Sequence, residues 1–192
     1  MREFARLCVD LGELASTAAR VGRLAAYLRN SDDATAACAT SLLLGHRPRR
    51  AVTSGELRAW AAERTGLPEW LVAACRDAVG DSAETYACLL PEPAADAPAP
   101  PLAAFHRRFV AELPLVAAPE RRRRVEEAWA SLDADGRFVY HKLLGGGFRI
   151  GVSRGLVLRA VAEARGIPLA TATDRLHAAW RPDAAAWRAL AD

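Results

Sequence analysis

Apolar residues recur at three- and four-residue spacing almost from end to end of this 192-residue chain. That period argues for helices and against a sheet-based core. Phe4, Leu7, Cys8, Leu11 and Leu14 form a first stripe, and Val21, Leu24, Ala25 and Leu28 a second. An alanine-rich segment then runs from Asp32 to Leu44 and stops at Gly45. Thr53 and Glu56 have capping-box spacing and open a helix with Leu57, Trp60 and Ala61 inward and Gly66 as its stop. Pro68 suits a first helical position, followed by Trp70, Leu71, Cys75 and Val79. Asp81 and Glu84 repeat the capping-box spacing. Further stripes comprise Leu102, Phe105 and Phe109, then Val125, Ala128, Trp129 and Leu132, then Phe138, Val139, Leu143 and Leu144. Ser153 is an N-cap for a helix with Leu156, Val157, Ala160 and Val161 inward, closed by Gly166. Two short helices follow, one centred on Leu176 and Trp180 and one on Trp187 and Leu190, with Pro182 between them. The tryptophans sit at core spacing.

The helical pattern breaks once. Residues 91–101 read PEPAADAPAPP, a stiff, solvated spacer. The expected fold is therefore an all-α multi-helix bundle of two lobes, residues 1–90 and 102–192, joined by this linker and packed as one domain. No exact internal repeat is visible, although the lobes have similar helix counts. Residues 1–90 are charge-balanced, so the basic excess of 26 Lys and Arg over 23 Asp and Glu belongs to the second lobe. This mild excess excludes a histone-like tail and an acidic disordered chain. Lys142 is the only lysine, hence the one candidate for a covalent lysine adduct.

The N-terminus lacks the pattern of a secretory signal, and no segment has the roughly 18 apolar residues of a membrane span. The four cysteines are far apart and read as reduced core thiols, so a cytoplasmic location is expected. There is no P-loop, no G-x-S-x-G elbow and no H-E-x-x-H. His46, His106, His141 and His177 stand singly and read as surface or packing residues. No catalytic residue, metal site or cofactor is expected in this chain.

The distinctive segment is HKLLGGGFRIGVSRG, residues 141–155. Three consecutive glycines imply a sharp bend or a close approach to the backbone. Phe148 and Ile150 flank Arg149 as apolar anchors. The free N–H groups after Ser153 can take an anion, with Lys142, Arg149 and Arg154 as nearby charges. The geometry suits a phosphate clamp that includes Gly147 and Gly151; the alternative is an ordinary helix–helix loop with solvated arginines. Arg47, Arg49 and Arg50 in a loop, and Arg107 and Arg108 on a helix, are further candidate phosphate contacts. Arg121 to Arg124 read as a solvated face partly offset by Glu120, Glu126 and Glu127.

The stretch from Lys142 to Ser153, together with Gly80-Asp81-Ser82-Ala83-Glu84-Thr85, resembles the N-terminal DNA-binding domain of ATP-dependent DNA ligases, most closely the bacterial cisplatin-damage-response branch. The resemblance extends from the opening helices to about residue 180. It implies an all-helical domain that grips nicked duplex DNA across the minor groove without reading sequence, in DNA repair. It places Lys142, Arg149 and Gly151 near the DNA backbone, with Ser153 and Arg154 at the following helix start. It gives the turn at Asp81 a packing role. A complete ligase of this kind carries a nucleotidyltransferase core, with a K-x-D-G lysine adenylated by ATP with Mg2+, and an OB-fold domain. Lys142 is followed by Leu-Leu-Gly, so the motif is absent here. The chain alone is expected to bind DNA as a monomer without sealing it. The rival readings are a helical protein-interaction module and a helix-turn-helix regulator.

Overall fold

The computed structural model describes residues 1–46, 49–93, 100–145, 148, 151–176 and 180–192. Among these residues the chain is all-α, without a strand. The helices are α1 (Arg2–Glu13), α2 (Thr17–Asn30), α3 (Asp33–Leu43), α4 (Ser54–Thr65), α5 (Glu69–Val79), α6 (Ser82–Leu89), α7 (Leu102–His106), α8 (Ala118–Ser131), α9 (Ala134–Leu144), α10 (Arg154–Arg165), α11 (Leu169–Arg175) and α12 (Ala184–Arg188). A π-helical turn, Arg107–Ala111, continues α7. No helix among the described residues is long and apolar enough to cross a membrane.

The chain forms two compact units that interleave along the sequence. The first comprises Met1–Ala5, Arg47–Pro100 and Ala104–Phe148; the second comprises Arg6–His46, Pro101–Ala103 and Arg149–Asp192. This differs from the sequential halves expected on either side of the proline-rich segment. The reason is packing: α2 lies along α10, and α3 packs on α12 and α10, so early and late helices share one core. A proline-rich stretch marks where the helical pattern stops and carries no information about which helices then pair. Residues 94–99 of that stretch lie outside the described residues.

In the first unit α6 packs on α9, and α5 on both α4 and α6. Its core centres on rings. Phe105 lies 4.8 Å from Phe109 and meets Tyr140 edge-on at 5.4 Å, and the Tyr140 hydroxyl donates to the Phe109 carbonyl at 3.0 Å, a group in the π-helical turn. Phe148 is buried against Phe4, as its role of apolar anchor requires. In the second unit α3 is the central helix. Every residue from Thr35 to Leu43 is buried, which its small side chains permit because neighbouring helices can approach closely.

Each unit also contains the same local device. Helices α4 and α10 both have 12 residues. Each is capped by a hydroxyl, Thr53 or Ser153, preceded by Val52 or Val152, and each has a glycine at its second position. Each ends at a left-handed glycine, Gly66 with φ 72° or Gly166 with φ 66°, followed by Leu67 or Ile167 and by a proline that opens the next helix. Only glycine adopts that C-terminal conformation without cost, and proline cannot extend the preceding helix. A local structural repeat therefore exists where no string of identities announces it.

Several packing expectations are corrected. Trp70 is 70% exposed and Val79 47% exposed, because α5 buries only Val72 completely. Cys88 is exposed and Cys75 half-buried, whereas Cys8 and Cys38 are core thiols; all four are free.

Candidate nucleic-acid interface

The candidate segment crosses from one unit to the other after Phe148. Its parts are therefore described unit by unit. Gly147 and Arg149 lie outside the described residues, as does Arg47.

In the second unit the start of α10 is chemically open. Ser153 Oγ accepts from the Leu156 backbone N–H at 3.3 Å, which satisfies one of the first-turn donors. No acidic residue stands in that first turn. Gly151 has φ +68°, and neither Gly151 nor Gly155 has an atom within 4 Å of where a Cβ would stand. Ser153, Arg154 and Gly155 are exposed. The Arg154 guanidinium donates to the Leu176 carbonyl at 3.3 Å, a bond that leaves most of its donors for solvent.

The equivalent helix start in the first unit is closed. Thr53 accepts from the Glu56 N–H at 3.2 Å, and the Glu56 carboxylate accepts from the Thr53 N–H at 2.7 Å. This reciprocal box places an anion of the chain's own on the helix N-terminus. The Thr53 donors hold the Glu56 carboxyl below the usual range. Arg50 is turned onto the same start, donating to the Val52 carbonyl at 3.0 Å and the Ser54 hydroxyl at 2.7 Å. Arg49 is exposed and makes no hydrogen bond or ion pair among the described residues. It precedes its cap by four residues, the same spacing that Arg149 has to Ser153.

Also in the first unit, the two stretches that carry the ligase resemblance meet. The Lys142 ammonium pairs with Asp81 Oδ2, while Asp81 Oδ1 accepts from the backbone N–H groups of Ala83 and Glu84 at 2.8 and 3.2 Å. Lys142 also lies 5.2 Å from the Phe138 ring centre. One carboxylate thus caps α6 and fixes a side chain of α9. Partial burial pushes the Asp81 carboxyl up, but Lys142 and the two N–H donors outweigh it and hold it below the usual range. Asp81→Asn is expected to keep the cap through its remaining oxygen while releasing Lys142. Acylation of Lys142, read by peptide mass mapping, should then be several-fold faster, with stability within about 1 kcal/mol of the parent. Unchanged Lys142 reactivity would refute the pairing.

The remaining arginine clusters divide. Arg107 is exposed, and its side chain makes no hydrogen bond or ion pair among the described residues. Arg108 donates to both oxygens of Glu127 at 2.9 Å. The run on α8 is neutralised within the protein: Arg122 pairs with Glu63 and Glu126, Arg123 with Glu120 and Glu127, and Arg124 with Glu120 and Glu112, while Arg121 donates to the Leu113 and Val116 carbonyls. Donation from Arg123 and Arg124 holds Glu120 down to about 2.

Two buried groups carry more than the sequence reading gave them. Arg137, unremarked in that reading, is only 2% exposed, and donates to the carbonyls of Trp129 and Leu90 at 2.9 Å each and to that of Pro91. His141 is buried and its Nε2 accepts from the Trp129 indole N–H at 2.9 Å. The proton of the neutral ring is thereby assigned to Nδ1, which has no partner among the described residues. The available signal was register: Arg137 lies on the α9 face of Tyr140, His141 and Leu144. Among the described residues no group of three or more His, Cys, Asp or Glu is placed to hold a metal.

No protein-family model matches the chain, and no curated protein aligns with it significantly.

Proposed function

We propose that this chain binds duplex DNA through its phosphates, without reading sequence, as the DNA-binding domain of an ATP-dependent DNA ligase acting on nicks. The observation that carries this reading is the contrast between the two equivalent helix starts. At α4 the donors are covered by Glu56; at α10 the same device has no acid, glycine at two positions, and Arg154 exposed beside it. A helix N-terminus left uncovered next to arginine suits a backbone phosphate. The internal partners of the α8 arginines favour other groups as phosphate contacts: α10 and Arg149 in the second unit and, separately, Arg49 and Arg107 in the first. Lys142, a further candidate contact, is held in the first unit by its Asp81 pair. ATP and Mg2+ belong to the chemistry of the parent ligase's nucleotidyltransferase core, and sealing needs that core and its OB-fold domain.

Anisotropy titrations with labelled nicked duplex test this reading. Affinity should fall steeply with salt, and competition by intact and scrambled-sequence duplexes should show no sequence preference. Arg149→Ala should weaken binding about tenfold and reduce the salt slope by about 1. Parent-like binding by that variant at low salt, or a flat salt dependence, would overturn the assignment.

A second reading has one observation in its favour. Trp70, a large apolar ring 70% exposed on α5, suits a protein-interaction module. In that case Trp70→Ala abolishes partner capture, and the titrations above detect no DNA binding.

A further inference from the structure

The first unit contains a cavity of about 190 Å³ whose wall includes two arginines, Arg64 and Arg137. We propose that it is a binding pocket for a phosphate group, distinct from the helix start of α10. Arg137 is buried and, among the described residues, forms no ion pair with a carboxylate; its hydrogen-bond partners there are main-chain carbonyls. A buried cation without a counter-ion is costly, and an anion reaching it from the cavity relieves that cost. Arg64, on α4, is exposed and makes no hydrogen bond or ion pair among the described residues. The two positive groups therefore line one space, where no ion pair among the described residues joins either of them to a carboxylate. Burial is the main influence holding the Arg137 guanidinium below its ordinary pKa; the Glu92 charge opposes it, and the Arg64 charge adds to it.

The donor arrangement selects the ligand class. The single N–H of Arg137 Nε is already given to the Trp129 carbonyl, which removes the Nε-containing fork that grips a planar carboxylate side-on. One N–H remains on each terminal nitrogen after the bonds to Leu90 and Pro91. Separate donors from Arg137 and Arg64 suit an anion that offers several oxygens in different directions, as a phosphate does. Glu92 also lines the cavity and opposes an anion there. It forms no ion pair with either arginine among the described residues, and the described lining residues, two arginines against one glutamate, are net positive. Leu90, Pro91 and Trp129 supply walls that limit the occupant to a small group.

The test uses the full chain in thermal-shift titrations with inorganic phosphate, matched in ionic strength by chloride. A 5′-phosphorylated dinucleotide and its unphosphorylated form provide two further arms. Phosphate and the phosphorylated dinucleotide should stabilise the protein, and the unphosphorylated form should not. A phosphorylated dinucleotide that binds at least tenfold more tightly than phosphate identifies a nucleotide or strand end as the source; comparable affinities identify free phosphate. Arg64→Ala, at an exposed site without partners, should weaken binding about tenfold, and Glu92→Gln should tighten it several-fold. Stabilisation by phosphate no greater than that by chloride, or an Arg64→Ala protein stabilised like the parent, would overturn the proposal. Neither result depends on duplex binding at α10, so the two readings fail separately.

Discussion

Arg137→Leu is expected to destabilise the protein by about 3 kcal/mol and to lower its Tm by roughly 6–12 °C. Leucine fills much of the volume but donates nothing. The carbonyls of Trp129, Leu90 and Pro91 then lose their shared partner. Trp129 lies in the last turns of α8, and Leu90 ends α6, where carbonyls have no acceptor-matched N–H further along the helix. Arg137 thus closes two helix ends with one planar group. Replacing a buried ion pair by apolar residues can be neutral when both partners go. Here the acceptors are main chain and remain. Arg137→Lys should recover only part of the loss, because one ammonium cannot match three acceptors spread around a planar guanidinium. Thermal and urea unfolding check both variants. A Tm for Arg137→Leu within about 2 °C of the parent would show that the carbonyls find other donors.

Acid should remove stability well before the carboxylates titrate. His141 is neutral in the fold, and burial first, with the Arg137 charge second, pushes its pKa from 6.5 down to about 3. Tyr86, Tyr140 and Trp129 surround the ring and offer it no anion. For a base whose folded pKa is depressed, the unfolded chain takes the proton first. The contribution is therefore complete above about pH 6.5 and is lost as the pH falls from there towards 3, at about 1.4 kcal/mol per pH unit for one proton. His106, lowered by burial, acts with the same sign. Between pH 7.5 and pH 5, His141 alone should account for a loss of roughly 2 kcal/mol. The lowered carboxyls of Asp32, Glu56, Asp81 and Glu120 contribute only at more acid pH. His141→Gln keeps an acceptor for the Trp129 indole and cannot titrate. Its stability deficit against the parent, measured by urea unfolding, should shrink by that same amount over this range. A constant deficit would mean that His141 does not enter the acid transition.

Much of the local structure was legible because it depends on neighbouring residues. The Thr53–Glu56 box, the Asp81 and Ser153 caps and the stops at Gly66 and Gly166 follow from side chains three or four positions from the groups they satisfy. The offset of Arg122, Arg123 and Arg124 by Glu120, Glu126 and Glu127 was also readable, since these stand within one or two turns, but only Arg123 is fully exposed, and Arg121 turns onto carbonyls instead. Trp70 was misplaced because spacing identifies a stripe but not whether another helix arrives to cover it. The Lys142–Asp81 pair joins residues far apart in sequence, and no local pattern contains it.

Helix, cap and turn were settled by the chain itself, because their hydrogen bonds close over a few residues. The interleaving of the two units, the burial of Arg137 among carbonyls from two other segments, and the Lys142–Asp81 pair needed the tertiary structure. In each case the deciding quantity is which distant groups exclude water or supply a counter-charge, and that is fixed only when the helices pack.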